Sequence, residues 1–212
     1  MSYIAERRQE ERDRRRAEIV DAAEALYAEV GWDAVTMEQV ARRARLSRAL
    51  VYVYFRDKAD LHFALVERAL DTLRVRLEAA RQGQARGLDE VAAIGRAYLA
   101  YARELPHYFD ACARFQAHAS ADGNVPPNEA ACMGAGHRVH EVIVAALDRG
   151  VADGSIRADI GNPYVTALSL WAFSHGLIQV AASKAGQLEH EGVAVQGFVD
   201  HAFALALRSL AP

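Results

Sequence analysis

The sequence predicts an all-α protein with about nine helices, arranged as a small N-terminal domain followed by a larger C-terminal one. Apolar residues recur at helical spacing along almost the whole chain, whereas the two-residue alternation typical of β-strands is nearly absent. Residues that begin and end helices recur between these apolar segments. Hydrophobic residues occupy 52% of the 212 positions, which is enough for a sizeable core and excludes a disordered chain.

The chain opens with a polar segment and a first helix. Residues 1–16 mix arginine with glutamate and aspartate, and we assign them as a charged N-terminal extension. From residue 17 onward, apolar residues share one helix face: Ile19, Ala22, Ala23, Leu26, Tyr27 and Val30. Gly31 follows at the position where helices often end in a left-handed residue.

Two short helices come next, each with an N-cap residue. Thr36 and Gln39 have the spacing of a capping box, which predicts a helix over about residues 37–44. After a tight turn, Ser47 is a natural N-cap for a helix over residues 48–55. Two short helices joined in this way match the helix-turn-helix motif, whose second helix enters the major groove of DNA.

The remaining predicted helices are longer. Asp57 caps a fourth helix, and we expect the domain boundary within it, so that residues 17–63 bind DNA and residues 64–212 form the second domain. Further helices are predicted over about residues 88–104, from Pro106, across residues 139–147, from Asn162 and Pro163, and over residues 192–210.

Charge is unevenly distributed along the chain, although the formal net charge is only −3. Six cations between positions 42 and 58 stand against one acid, Asp57; they are Arg42, Arg43, Arg45, Arg48, Arg56 and Lys58. Tyr52 and Tyr54 lie among them and can donate hydrogen bonds to phosphates. A basic strip on a helix-turn-helix predicts DNA binding, and the alternative is a helical bundle with a solvated basic face.

The segment VTMEQVARRARLSRALVYVYFRDKADLHFALV resembles the DNA-binding segment of the tetracycline-repressor family. The resemblance lies in Thr36, Ala41, Ser47, the run from Tyr52 to Phe55, and Lys58 followed by Leu61. It covers about residues 17–66, and DRGVADGSIRADIGNP resembles a turn further along the family's chain. The resemblance implies a helical, dimeric transcriptional regulator that responds to a small molecule.

The resemblance also implies roles for particular residues in the DNA-binding segment. Those expected at phosphates are Thr36, Ser47, Tyr52, Tyr54 and Lys58, and those expected at base edges are Arg48, Ala49, Leu50 and Val53. Arg45, also expected in the DNA-binding surface, stands where many members have glycine, at a turn that favours positive φ. Leu50 stands where many members have a small polar residue.

The N-terminal extension has two possible roles. Glu10 with Arg14, and Glu11 with Arg15, are neighbours on a helix, which favours a solvated helical extension. Its arginines could instead touch the minor groove or the backbone of DNA.

Aromatic and histidine side chains suggest an effector pocket in the second domain. The residues chosen as pocket walls are Tyr101, Tyr108, Phe115, His118, Trp171 and His175. Core packing explains them equally well, and the sequence does not identify the effector beyond favouring an uncharged or aromatic compound.

The last predicted helices carry more apolar residues than one buried face needs. The stretch 161–183 contains no charged residue, but its Thr166, Ser169 and His175 disfavour a membrane span. A four-helix bundle between two copies accounts for this surplus, and we expect a homodimer.

Other site classes find little support. His137, His140 and Glu141 share a helix face without a metalloenzyme motif, and Cys112 and Cys132 are expected to be buried. We therefore expect no metal, cofactor or catalytic residues. The chain begins without an apolar signal sequence, so we expect a cytoplasmic repressor that binds a palindromic operator; the alternative is a helical interaction protein or enzyme without DNA binding.

Overall fold

A computed structural model of the chain describes residues 3–115 and 125–212. These residues form ten α-helices and one 3₁₀ turn, and no strand occurs among them. The helices are α1 (Tyr3–Val30), α2 (Met37–Arg43), α3 (Arg48–Tyr54), α4 (Lys58–Arg81), α5 (Gly87–Glu104), α6 (Pro106–Arg114), α7 (Pro127–Asp153), α8 (Pro163–Ser183), α9 (Ala185–His190) and α10 (Val195–Leu210), with the 3₁₀ turn at Trp32–Ala34. The all-α prediction is confirmed.

Four helices differ from expectation. The first helix begins at Tyr3 rather than near residue 17, so the charged extension is the N-terminal part of α1. A short extra helix, α9, precedes the last one, which begins at Val195 instead of residue 192 because Gly192 has a positive φ of 75°. The predicted helix from Pro106 ends at Arg114 in the described chain.

Contacts between Cα atoms divide the chain into two compact units. Met1–Leu70 and His107–Ala135 form the first unit, and Asp71–Pro106 and Gly136–Pro212 form the second. The first unit therefore contains the predicted helix-turn-helix together with α6 and the start of α7.

The first unit is organised around apolar side chains from every helix of the helix-turn-helix. Ile19 and Ala23 on α1, Val40 on α2, Val51 on α3 and Leu61 on α4 are each 0% exposed. Their spacing on each helix turns one apolar stripe towards a shared core. Burial of these stripes fixes the relative positions of α2 and α3.

In the second unit, the start of α5 packs closely on the end of α7. An added Cβ on Gly87 would lie 2.1 Å from the backbone nitrogen of Gly150, so only glycine fits there. The Gly87 N–H donates to Asp153 at 2.8 Å, which satisfies one of the free donors of the α5 N-terminus. Nearby Glu90, 2% exposed, accepts hydrogen bonds from Arg81 and Arg149, so its buried charge is compensated.

The α8 helix is apolar but little covered by its own chain. Among the described residues, α8 is the one helix that is both long enough and apolar enough to cross a membrane, with a mean hydropathy of 1.3. Only 11% of that apolar window is buried. Length and composition alone are weak indications of a membrane span, but they leave an apolar face to be explained.

Candidate nucleic-acid interface

The turn between α2 and α3 holds the two helices at a fixed angle. Val51 and Phe55 anchor α3 in the core, both 0% exposed. Arg45 adopts a left-handed conformation with φ of 57°, and the Leu46 N–H then donates to the Ala41 carbonyl at 2.9 Å. The expected positive φ at this turn is therefore present, on a residue whose Cβ makes it strained.

One face of α3 is free to meet a ligand. Arg48, Ala49, Tyr52 and Val53 are exposed, and Val53 is 70% exposed despite its apolar side chain. The Arg48 guanidinium lies over the Tyr52 ring, 5.5 Å from its centroid, so the two side chains act as one surface. Leu50 and Tyr54, from the same predicted set, are only partly exposed.

The two predicted N-caps are present, and they differ in whether the hydroxyl proton is available to a ligand. The Thr36 hydroxyl accepts from the Gln39 N–H at 3.2 Å and donates to the Gln39 side-chain oxygen at 2.9 Å, so its proton is already engaged. The Ser47 hydroxyl accepts from the Leu50 N–H at 3.2 Å. Its own proton can be donated to a phosphate, so Ser47 is the better placed of the two.

Lys58 has a structural role that the sequence did not indicate. Its Nζ donates to the carbonyls of Trp32 at 2.6 Å and Asp33 at 3.2 Å, and lies 5.1 Å from the Trp32 ring centroid. Burial lowers the pKa of Lys58, an effect that neighbouring Asp33 opposes. Since an ammonium group has three N–H bonds, one remains for a phosphate.

The cations of the basic strip are not equally available. Arg43 forms a two-bond ion pair with Glu29, at 2.5 and 2.6 Å. Arg42 and Arg56 pair with exposed acids, Glu38 at 3.2 Å and Asp57 at 3.3 Å. Arg45 has no ion-pair or hydrogen-bond partner for its guanidinium in the described chain, so it is the freest cation of this surface.

A network of polar contacts holds the C-terminal end of α3 in place. Arg16 on α1 donates to Asn128 at 2.9 Å, and Asn128 donates to Asp60 at 3.0 Å. Asp60 in turn accepts from the Arg56 N–H at 3.0 Å, in the loop after α3. The Arg16 guanidinium also lies 5.6 Å from the ring centroid of Phe55, so α1, α4 and α7 together fix the end of α3.

A buried histidine lies beneath this surface. The His62 ring is 7% exposed and stacks on Trp32 with 4.8 Å between ring centroids. Its Nε2 has no hydrogen-bond partner among the described residues, and burial, with help from nearby Arg114, lowers the pKa of His62 to about 4. The histidine is therefore neutral at physiological pH.

A second candidate site is an apolar cavity of about 50 Å³ within the second unit. Its walls come from α4, α5, α7, α8 and α10, and include Leu77, Ile94, Gly95, Tyr98, Ile143, Leu170, Trp171, Ser174 and Phe203. Within the part of the chain that the structure describes, no charged side chain lines it. The Tyr98 hydroxyl and His175 Nδ1 form a hydrogen bond of 2.8 Å at one side.

The expected pocket residues are distributed over both units. Trp171 lines the cavity, and His175 contacts it through Tyr98. Tyr101 is buried in the second unit without lining the cavity, whereas Tyr108 and Phe115 belong to the first unit. His118 lies outside the described residues. The sequence analysis did not predict Gly95 and Phe203 as wall residues. A glycine inside a helix was the only feature of the sequence that could have pointed to Gly95.

Other residues considered as sites have structural partners. His137 contacts Glu141 at 3.2 Å and the Tyr164 hydroxyl at 3.2 Å. Within residues 3–115 and 125–212, no three His, Cys, Asp or Glu side chains are grouped as metal ligands would be. Cys132 is buried, and burial raises the pKa of its thiol to about 12, which disfavours the reactive thiolate.

Two transcriptional regulators are similar to part of this chain. HTH-type transcriptional regulator HbdR of Aromatoleum sp. (strain CIB) is 42% identical over 60 residues, covering 28% of this chain and 26% of HbdR. HTH-type transcriptional repressor Rv1474c of Mycobacterium tuberculosis is 38% identical over 69 residues, covering 32% of this chain and 36% of that one. This chain thus matches well under two thirds of the length of either relative.

Solved structures match over nearly the full length. A protein with unknown function from Rhodococcus sp. RHA1 has a TM-score of 0.72 and 26% identity, covering 93% of this chain and 95% of that one. FadR from Bacillus subtilis, solved with stearoyl-CoA, has a TM-score of 0.67 at 13% identity, covering 92% and 98%, which shows a shared fold.

Two family profiles cover most of the sequence. The profile described as "Bacterial regulatory proteins, tetR family" matches residues 19–65, and "Tetracyclin repressor-like, C-terminal domain" matches residues 91–208. The first contains α2 and α3, with the cap, turn and exposed face described above. This chain therefore belongs to the tetR family of DNA-binding transcriptional regulators and is not an enzyme.

Proposed function

We propose that the chain is a cytoplasmic repressor that binds a palindromic operator as a homodimer and is released by a small, uncharged, mainly apolar molecule. The observation that carries the proposal is the exposed face of α3, which presents Arg48 and Val53, together with the exposed Arg45, whose guanidinium has no partner among the described residues. The DNA-binding module is residues 17–63, and residues 64–212 bind the effector and the second copy.

Recognition of DNA divides between phosphates and bases. Ser47, Tyr52 and Arg45 carry donors that suit phosphates at the edge of the major groove. Arg48 can pair with guanine through two hydrogen bonds, and Val53 offers an apolar surface to a thymine methyl group. Thr36, Ala49, Leu50, Tyr54 and Lys58 complete the contact set, with Thr36 and Lys58 also holding the motif together.

The exposed face of α8 supports the homodimer. Small and apolar residues follow one another along it at helical spacing: Val165, Ser169, Ala172, Gly176 and Val180. Space around Gly176 is open, since an added Cβ would meet no atom within 4 Å. Small residues let a second helix approach closely, and a second copy supplies the covering apolar surface that isolated chains lack.

The cavity supports an apolar effector. Its walls are almost entirely aliphatic and aromatic, and the nearest polar groups are the Tyr98 hydroxyl and Ser174. A volume of about 50 Å³ holds only a water or two, whereas bound small molecules need about 300 Å³ or more. The effector must therefore enlarge the site, with Trp171 and Phe203 as the side chains to move.

Enlargement of the cavity offers a route to release of DNA. The α4 helix begins in the first unit and ends in the second, where Leu73 and Leu77 line the cavity. An effector that favours the enlarged state weakens DNA binding only if DNA favours the other state, since the two effects are reciprocal. A shift of α4 in each protomer would change the spacing of the two α3 helices.

The test starts from selection of an operator. The full-length protein should select a palindromic duplex from a random-sequence pool, and the chain's own upstream region is the first natural candidate. A reporter behind that operator should be silenced by the protein and restored by compounds that stabilise it in a thermal-shift screen. Failure to select any duplex favours an interaction protein without DNA binding, and increased reporter output identifies an activator.

A further inference from the structure

The charged extension is a rigid helix that projects beyond the folded core. Residues 3–14 of α1 are all exposed, whereas Arg15, Arg16 and Glu18 are partly buried ahead of Ile19, the first buried residue. At about 1.5 Å per residue, residues 3–14 form roughly 18 Å of helix. A helix of this kind holds its side chains at defined positions, unlike a flexible arm.

The charged side chains on one side of this helix are all arginines. Arg8, Arg12 and Arg16 are four residues apart and therefore form one row. Glu10 and Asp13 are roughly 100–160° around the helix from Arg12, at about 100° per residue, and Glu6 shares their side. Arg7 and Arg14 also lie on the far side, about 140–160° from Arg12. The extension thus has an arginine face, whose charged residues are all arginine, and an opposite face, called here the acidic face, on which Glu6, Glu10 and Asp13 outnumber those two arginines.

The arginine face carries unneutralised charge. Arg14 and Arg15 are paired with Glu11 and Glu18 at 2.8–3.1 Å. Arg8 and Arg12 are exposed and have no ion-pair partner in the described chain. Like charges four residues apart repel each other on a helix, and a bound anion would remove that repulsion.

The row of arginines begins at the recognition helix. Arg16 donates to Glu67 at 3.3 Å and to Asn128 at 2.9 Å, and its guanidinium stacks on Phe55, the residue that ends α3. Arg12 and Arg8 lie one and two turns further along α1, about 6 and 12 Å from Arg16 along the axis. The fixed end of α3 therefore continues into a line of free cations.

We propose that Arg8 and Arg12 bind phosphates of the duplex that flanks the base pairs read by α3. The proposal rests on the DNA binding proposed above and adds a second contact to it. Double-stranded DNA is the partner that fits, because its phosphates form a regular row of single charges along each strand. The acidic face would be repelled by the same backbone, so it must point away, which fixes the orientation of the helix on DNA.

The experiment compares charge variants on two lengths of the selected operator duplex. One duplex contains only the core footprint, and the other adds about one helical turn, 10 bp, on each side. Wild type, R8Q/R12Q, R8K/R12K and the matched acidic-face variant E6Q/E10Q are titrated at several salt concentrations. Circular dichroism of each variant checks that α1 remains helical.

On the long duplex, R8Q/R12Q should reduce the slope of log Kobs against log salt by about two units per bound protomer. R8K/R12K should keep the wild-type slope, because lysine also neutralises a phosphate, and E6Q/E10Q should keep or increase it. On the core duplex, wild type and R8Q/R12Q should converge. Equal slopes for these two proteins on the long duplex would overturn the proposal, whereas absence of wild-type binding would instead contradict the DNA-binding function.

Discussion

Arg45 combines backbone strain with a free charge in a single residue. Its φ of 57° places a side chain where glycine is preferred, at a cost of about 1 kcal/mol. Its guanidinium, however, is the freest cation of the recognition surface. The retention of arginine at a strained turn is understandable if the charge is used to bind DNA.

Two substitutions separate these effects. Arg45→Gly should raise the free energy of unfolding by about 0.5–1 kcal/mol relative to Arg45→Ala, because glycine relieves the strain and alanine does not. Both variants should weaken binding to all duplexes and reduce the salt slope by about one unit per protomer. Urea denaturation and titration with DNA measure the two effects. Equal stability of the two variants would contradict the strain.

His62 makes the stability of the first unit depend on pH. Burial lowers its pKa to about 4, against about 6.5 in an unfolded chain, so the unfolded state binds the proton more readily between those values. Stability should therefore be complete above pH 6.5 and fall by about 3 kcal/mol as the pH drops to 4. Carboxylates also titrate in this range, so the His62→Phe variant isolates the histidine. Its loss of stability over the same window should be smaller, and an identical loss would contradict this account.

Lys58 holds the 3₁₀ turn in place, and we propose that it also binds DNA. Lys58→Ala removes two hydrogen bonds to the 3₁₀ turn and should lower the free energy of unfolding by about 1–2 kcal/mol. Arg56→Ala, which loses only an exposed ion pair, should change it by less than about 0.5 kcal/mol. Equal effects of Lys58→Ala and Arg56→Ala in thermal or urea unfolding would contradict the structural role of Lys58. The stability measurement therefore separates a lost DNA contact from a weakened fold in Lys58→Ala.

At the level of the helices, short-range signals predicted the structure well. Thr36, Ser47 and Asn162 each cap a helix through a contact two or three residues away, so the sequence alone contains the information. The resemblance to a known family then supplied the role of α3. No local signal marks the pair of Arg43 with Glu29, or Lys58 with Trp32, because these contacts join residues distant in sequence.

The cavity was the least predictable feature, for the same reason. Tyr108 and Trp171 are both aromatic residues within predicted helices, yet of these two only Trp171 lines the cavity. Which aromatic side chains face a common space depends on the packing of five helices. Gly95 shows the limit clearly, since its value lies in allowing the Phe203 ring to approach, where an added Cβ would be 2.3 Å from it.

The α3 helix should read sequence through Arg48. Arg48→Ala should reduce discrimination at one symmetric operator position roughly tenfold or more, because a two-bond contact with guanine is lost. The matched variant Arg45→Ala should weaken wild-type and base-substituted operators alike. Titration of both proteins against single-base-pair variants of the operator makes the comparison. If the two variants lose affinity equally on every duplex, Arg48 contacts only the backbone.

In the proposed homodimer, the open face of α8 joins the two copies and thereby sets the form of the operator. A palindromic site requires two α3 helices related by twofold symmetry, and one copy of the 23.2 kDa chain has only one. The exposed stripe that includes Gly176 is the surface whose burial would relate the two copies. If this face were left uncovered, the chain would carry an apolar patch unusual for a monomer.

Gly176→Arg tests this assembly and its consequence for DNA together. Light scattering of the wild type at micromolar concentration should give a mass of about twice 23.2 kDa. The variant should give about one chain mass, because a long charged side chain separates two helices that approach closely, while Gln82→Arg, at an exposed turn, should remain dimeric. The monomeric variant should keep α3 intact and bind half-sites weakly, yet lose most of its affinity for the full palindrome, since linkage of two half-sites multiplies their affinities. A wild-type monomer that still binds the palindrome tightly would show that α8 has another partner.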